Sequence, residues 1–109
     1  MKPVAWIGDS RLRVREFPEG ARRVAGHELA LVQAGREPSS WRPMPSVGLG
    51  VNELRVRTED AFRVLYVAKF AEAVYVLHAF QKKSGKTAKA DIELARRRYR
   101  AMIEERRNR

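Results

Sequence analysis

The second half of the chain carries three strand-type segments in close succession. Residues 51–57 read VNELRVR, residues 62–68 read FRVLYVA and residues 74–80 read VYVLHAF. β-Branched and aromatic residues dominate all three, as is typical of strands. The polar gaps between them are too short for a crossover connection, which parallel neighbours would need. The sequence therefore predicts a three-stranded antiparallel meander.

Helical periodicity surrounds this meander. Residues 19–34 place apolar side chains three to four positions apart and stop at a glycine, and residues 88–107 show a similar stripe. A shorter helix is expected just before Pro18, and the apolar run at residues 4–7 predicts an edge strand. Residues 36–50 hold three prolines and two glycines and are expected to form a loop.

Together these elements predict an α+β fold in one domain spanning residues 1–109. The expected architecture is a small antiparallel sheet with two N-terminal helices packed on one face and a C-terminal helix. A chain of 109 residues is long enough for one modest core and too short for two ordinary domains.

The net charge narrows the class of partner. The chain has 23 Lys and Arg against 13 Asp and Glu, a formal charge of +10, and residues 82–109 alone hold 11 basic and 4 acidic side chains. Such an excess favours a polyanion: nucleic acid, an anionic membrane surface or an acidic protein. The chain lacks cysteine, a secretory signal pattern and an apolar run of membrane-spanning length. We expect a cytoplasmic protein without a membrane partner.

Several enzyme classes lack their residues here. His27 and His78 are the only histidines, no zinc-type spacing or glycine-rich phosphate loop is present, and the acidic residues are scattered. We therefore expect no metal and no cofactor. RNA cleavage stays feasible, because the ribose 2′-hydroxyl can attack its own phosphodiester if the protein supplies proton transfer and positive charge.

Each candidate residue has a functional and a purely structural interpretation. Arg63 is either a clamp for a transition state or a surface arginine on an open strand face. His78 suits acid–base chemistry through its ordinary pKa near 6.5, but it is more often a hydrogen-bonded core residue. Phe80 is either core or a platform for an unpaired base. The basic residues after the third strand form either a solvated turn or a phosphate-binding rim. They are Lys82, Lys83, Lys86 and Lys89, extended by the arginines at positions 96, 97, 98 and 100.

The segment VLHAFQKKSGKT, followed by the basic helix AKADIELARRRY, resembles RelE/HigB-like toxins of bacterial type II toxin–antitoxin modules and their phage-derived relatives. The likeness continues upstream through KPVAWIGDS, ELALVQAGREPSSWRPM, GVNELRVR and FRVLYVAKF, in order, over nearly the full chain. The resemblance implies a basic sheet surface and a ribonuclease that cuts mRNA, often on the ribosome, and that is neutralised by an antitoxin.

The resemblance also implies roles for individual residues. The strand arginines of the family fall on Arg55 and Arg63, and its basic strand-end residues fall on Lys82 and Lys83. Proton transfer would then fall to His78 or a lysine, while Arg55 and Arg57, with Phe80, Lys86 and Lys89, would hold the RNA. Tyr66 has the opposite strand parity from Arg63, so we assign it to the core.

The favoured hypothesis is a metal-independent mRNA endoribonuclease toxin that inhibits translation. Its expected partners are mRNA, the ribosome and an antitoxin of the helix-turn-helix DNA-binding type. Two alternatives stay open: a ParE-like toxin that binds DNA gyrase, and a non-catalytic basic RNA-binding module. Composition and pattern without the resemblance support only a basic α+β domain that meets nucleic acid.

Overall fold

A computed structural model describes residues 1–83 and 85–109. The strands are β1 Val4–Trp6, β2 Trp41–Pro43, β3 Val51–Arg57, β4 Ala61–Val67 and β5 Val74–Lys82. The helices are α1 Ser10–Arg15, α2 Glu19–Gln33 and α3 Lys89–Arg107. These elements confirm the predicted α+β class.

The five strands form one sheet in the order β1-β5-β4-β3-β2. Strands β3, β4 and β5 pair antiparallel, which confirms the predicted meander. Strand β1 lies at one edge as expected, but it runs parallel to β5, with Val4 opposite Val74. The sheet is therefore mixed rather than wholly antiparallel. Parallel pairing is feasible here because residues 7–73, which include α1 and α2, connect the two strands.

The expectation that residues 36–50 form only a loop is wrong at β2. Trp41 lies opposite Leu54 and Pro43 opposite Asn52, so this short strand closes the second edge of the sheet. A proline is tolerated there because an edge strand has one side that needs no ladder hydrogen bond. The strand is only three residues long and lies among helix and strand breakers, which hides its pattern.

Helices cover both faces of the sheet. On one face, α1 and α2 bury Val14, Ala25 and Leu29 against strand residues that include Leu54 and Val64. On the other face, α3 packs Ala95 and Met102 against a second apolar cluster that includes Val51, Leu65, Val67, Tyr75 and Leu77. The strands alternate between these two clusters along their length, as side chains of a pleated strand must.

Two glycines show how the chain closes on this core. Gly35 has a φ of 78°, a left-handed conformation that suits glycine, and it ends the predicted second helix. Gly48 lies under the ring of Tyr99 of α3, and a Cβ at Gly48 would approach that ring to 2.6 Å. Across the described parts of the chain, the helices lack the combined length and apolar character that crossing a membrane requires.

Candidate functional site

A buried glutamate lies at the centre of a group of basic side chains. Glu53 of β3 is fully buried, and it shares its sheet face with Arg55 because the two alternate with the core residues Leu54 and Val56. Burying a lone carboxylate is costly, so its partners decide whether the arrangement is stable.

Three arginines surround the Glu53 carboxylate. Arg42 Nε donates a hydrogen bond of 2.9 Å to Glu53 Oε1, while Arg55 Nε and Arg63 Nε lie 3.8 and 3.6 Å from the same oxygen. Thr87 Oγ1 donates to Glu53 Oε2 at 3.1 Å. The carboxylate thus holds three guanidinium groups, from β2, β3 and β4, at one place.

Lys82 adds a fourth positive charge. It ends β5 opposite Ala61, and burial followed by the nearby Arg63 lowers its pKa. We call Arg42, Arg55, Arg63 and Lys82 around Glu53 the cationic cluster. Four cations and one anion leave it a net charge of +3, which a group of polyanionic character would neutralise.

Arg63 is the most enclosed member of the cationic cluster. It is 5% exposed, and its Nη1 donates to the carbonyl of Phe62 at 3.0 Å. Burial lowers its pKa, and Glu53 opposes that shift. Of the interpretations of Arg63, the surface arginine on an open strand face is therefore wrong, since Arg63 is both buried and paired with Glu53.

Two buried donors of the cationic cluster find no hydrogen-bond acceptor within the described part of the chain. Among the described residues, Arg55 Nε and Arg63 Nε have no hydrogen-bond partner, although such buried donors are nearly always paired. Arg55 and Arg63, together with the exposed Arg57, also line an open cavity of about 460 Å³ beside Ser39 and Ser40. The cationic cluster therefore borders a cavity that opens to solvent and that Glu28 also lines, while the buried Nε–H groups of Arg55 and Arg63 lie near Glu53.

The structure places His78 in a different group. His78 is 2% exposed, and its Nε2 lies 2.7 Å from Asp91 Oδ1 of α3. Because a carboxylate only accepts, Nε2 carries the proton. Burial lowers the pKa of His78, against the influence of Asp91. The ring stacks on Phe80 at 5.1 Å between centroids, so Phe80 packs against His78 and stands opposite Arg63 in the sheet.

The lysines expected to form a rim are spread from the last residue of β5 to the first residue of α3. Lys83 is exposed and lines a cavity with Phe80 and Asp91, as does Lys86. The side chain of Lys89 is 90% exposed and lies 3.9 Å from Glu93, one helical turn away. Lys82 is the one that we include in the cationic cluster, since Arg63, Glu53, Arg42 and Arg55 all influence its pKa.

The helix α3 uses part of its charge for its own attachment. Arg98 donates to the carbonyl of Leu77 and to Asp9, and Arg96 donates to the carbonyl of Ser46. These two arginines therefore fix α3 to the sheet and its loops. Arg97 and Arg100 are exposed.

Tyr66 lies in the core, as strand parity predicts. It is 2% exposed and belongs to the cluster under α1 and α2, on the face opposite Arg63. Burial raises its pKa to about 12. The register between β4 and β5 shifts next to Tyr66, yet this irregularity does not bring the ring to the cationic cluster.

Sequence reasoning assigned no role to Glu53, Arg42, Thr87 or Asp91. The alternation of Glu53 with Arg55 and Arg57 was a usable signal, because residues two apart on a strand share a face. Arg42 gave no signal, since it lies in the strand that the breakers conceal. Asp91 is one of four acidic residues in a basic helix, and only the folded chain shows that its partner is His78.

The fold and the cationic cluster define a small α+β protein with a positively charged sheet surface. The family described as phage derived protein Gp49-like (DUF891) matches residues 13–100. This is most of the chain, and the protein belongs to that family, whose members are toxin-like. A comparison with curated proteins gives no match. The finer placement among RelE/HigB toxins stays a prediction.

Proposed function

We propose that this protein is the toxin of a type II toxin–antitoxin module and acts as a metal-independent endoribonuclease on mRNA. The single observation that carries the proposal is the cationic cluster, in which buried Glu53 gathers Arg42, Arg55 and Arg63 beside Lys82. Membership of a toxin-like family and the resemblance to RelE/HigB toxins support the same conclusion.

The chemistry follows from the charge that develops on the scissile phosphate. The ribose 2′-oxygen attacks phosphorus, the bond to the 5′-oxygen breaks, and the products are a 2′,3′-cyclic phosphate and a 5′-hydroxyl. The guanidinium groups of Arg55 and Arg63, which line one cavity, suit the additional negative charge of the pentacoordinate state. Arg57, which lines the same cavity, would hold the backbone of the RNA.

Proton transfer is assigned by position. Lys82 belongs to the cationic cluster, and its pKa is lowered. The lowered pKa favours transfer of the Lys82 proton to the departing 5′-oxygen. His78 donates its Nε2–H to Asp91 and lies beyond Phe80, so it is not the proposed donor. Glu53 is enclosed by Arg42 and Thr87 and positions the arginines, and the 2′-hydroxyl proton passes to solvent.

The decisive experiment is inducible expression followed by mapping of mRNA 5′ ends. We expect the native chain to arrest growth and generate new 5′-hydroxyl ends, and Arg63→Ala and Lys82→Ala to abolish both. Lys69→Ala is the matched control, because Lys69 is an exposed lysine that follows β4, at the opposite end of the sheet from Lys82. Purified protein should cut RNA equally well with a chelator present. New ends that persist in Arg63→Ala would refute the assignment.

The alternatives give different results in the same experiment. A non-catalytic RNA-binding module would bind RNA with a steep salt dependence and leave the transcripts intact. A gyrase-directed toxin would induce DNA damage signalling without new RNA ends. Either result would replace the nuclease proposal.

The proposal includes partners. mRNA, bound on the ribosome or free in the cytoplasm, is the substrate, and a co-encoded antitoxin of the helix-turn-helix type is the inhibitor. An acidic segment of that antitoxin suits the net positive cationic cluster and would cover Arg55 and Arg57. An acidic peptide should therefore compete with RNA, whereas a neutral peptide of equal length should not.

A further inference from the structure

A second cavity lies next to the cationic cluster, at the end of β5. It has a volume of about 150 Å³, and Phe80, Lys82, Lys83 and Asp91 are among the residues that line it. Pockets for drug-sized ligands begin at roughly 300 Å³, so this cavity suits a single small planar group. Lys82 belongs both to this lining and to the cationic cluster, which makes the two sites neighbours.

The aromatic wall of the cavity is preorganised. Phe80 is only partly buried, and its ring stacks on His78 with an interplanar angle of 27°. His78 is itself buried and held by Asp91, so the two rings form a rigid pair. A rigid aromatic face of this kind is what single-stranded RNA-binding proteins present to an unpaired base.

The polar wall has a defined acceptor. Asp91 accepts the Nε2–H of His78 through Oδ1, and its side chain is 26% exposed. The carboxylate therefore has a fixed orientation and remaining lone pairs. The ammonium groups of Lys82 and Lys83 are donors on the same cavity.

Guanine is the base whose edge matches this arrangement. It presents two adjacent donors, N1–H and the N2 amino group, next to the acceptor O6. Uracil presents one donor between two acceptors, and adenine and cytosine present one amino donor beside a ring-nitrogen acceptor. A carboxylate accepts from the paired donors of guanine, and an ammonium group donates to O6.

We propose that the Phe80–Asp91 cavity binds a guanine base of the RNA, stacked on Phe80 and read by Asp91, while the adjoining phosphate lies on the cationic cluster. This inference rests on the proposed function for its substrate class. It assigns Asp91 as a specificity-determining residue and restricts Phe80 to stacking. Arg63, directly opposite Phe80 in the sheet, is placed to hold the phosphate of the same nucleotide.

Calorimetric titration with the four nucleoside 5′-monophosphates tests the cavity without any cleavage step. We expect GMP to bind the native chain at least about tenfold more tightly than UMP, within the range of a well-made base contact. Asp91→Asn should abolish that preference. Phe80→Leu should weaken the binding of all four nucleotides by about tenfold or more, because the base loses its stacking platform.

Matched variants separate specificity from folding. Asparagine at position 91 can still accept from His78, so thermal melting of Asp91→Asn should stay close to that of the native chain. Glu104→Gln neutralises an exposed acid in a later part of α3 and should keep the preference for GMP. Equal affinities for GMP and UMP, or an undiminished preference in Asp91→Asn, would overturn the inference.

The two proposals fail in different ways. Selective GMP binding without RNA cleavage on induction would remove the nuclease and keep the guanine cavity. Cleavage at sites with no guanine enrichment, unchanged in Asp91→Asn, would remove the cavity and keep the nuclease.

Discussion

Replacing Glu53 with glutamine is the most direct test of how the cationic cluster is held together. The substitution keeps the size of the side chain and an oxygen that Arg42 can donate to, and it removes the only negative charge among the cluster's five side chains. The remaining cations would then repel one another in a partly buried site. We therefore expect Glu53→Gln to fold and to be less stable.

The expected loss of stability follows from how exposed the three arginine partners of Glu53 are. Removing one partner of a fully buried ion pair costs about 3–5 kcal/mol. The side chains of Arg42 and Arg55 are 44% and 39% exposed, so water screens them, whereas Arg63 is 6% exposed. With one of three partners fully buried, we expect Glu53→Gln to lower the free energy of unfolding by about 2–3 kcal/mol.

Urea unfolding followed by the fluorescence of Trp6 and Trp41 measures this change. Glu19→Gln is the control, because Glu19 pairs with Arg23 where both side chains are more than 70% exposed, and its loss should matter little. Sulfate should restore more stability to Glu53→Gln than to the native chain, since it can bind the uncompensated guanidinium groups. If Glu53→Gln is as stable as the native chain, the carboxylate does not hold the cluster.

Three further changes test other parts of the structure. The hydrogen bond from Arg106 lowers the pKa of Glu72 to about 2. The stabilising effect of this pair is therefore present above about pH 4.5 and is lost as the pH falls towards 2. Thermal melts of Glu72→Gln should accordingly depend less on pH in that window. In urea unfolding, Gly26→Ala should stabilise α2 by about 0.5–1 kcal/mol, because its Cβ meets open space. Gly48→Ala should destabilise the chain by displacing the Tyr99 ring, and an unchanged midpoint would show that the ring yields freely.

The sequence predicted the elements whose periodicity is strong. The meander and the two long helices can be recognised in the sequence because each buries a regular face over many residues. Strand β2 was not predicted, because three residues at a sheet edge, one of them proline, carry no periodic signal. The direction of β1 relative to β5 was not predicted either, since a short apolar run does not indicate whether its neighbouring strand is parallel or antiparallel.

The site was predictable in its charges and not in its contacts. The resemblance implied that the strand arginines of the family fall on Arg55 and Arg63, and both belong to the cationic cluster. Their partner Glu53 lies in the same segment, but pairing with Arg42 depends on a strand that only the fold reveals. The contact of His78 with Asp91 of α3 and its stacking on Phe80 are properties of tertiary packing.

The pairing of β1 with β5 has a consequence for how the molecule is made. Among the described residues, residues 4–6 form their ladder with residues 74–76 alone, so the sheet cannot be completed until residue 76 has left the ribosome. Closing so long a loop is also a slow contribution to folding. Lys82, which follows that partner segment in β5, emerges later still, so the nascent chain completes its cationic cluster only after the strands β1 to β4 have been made.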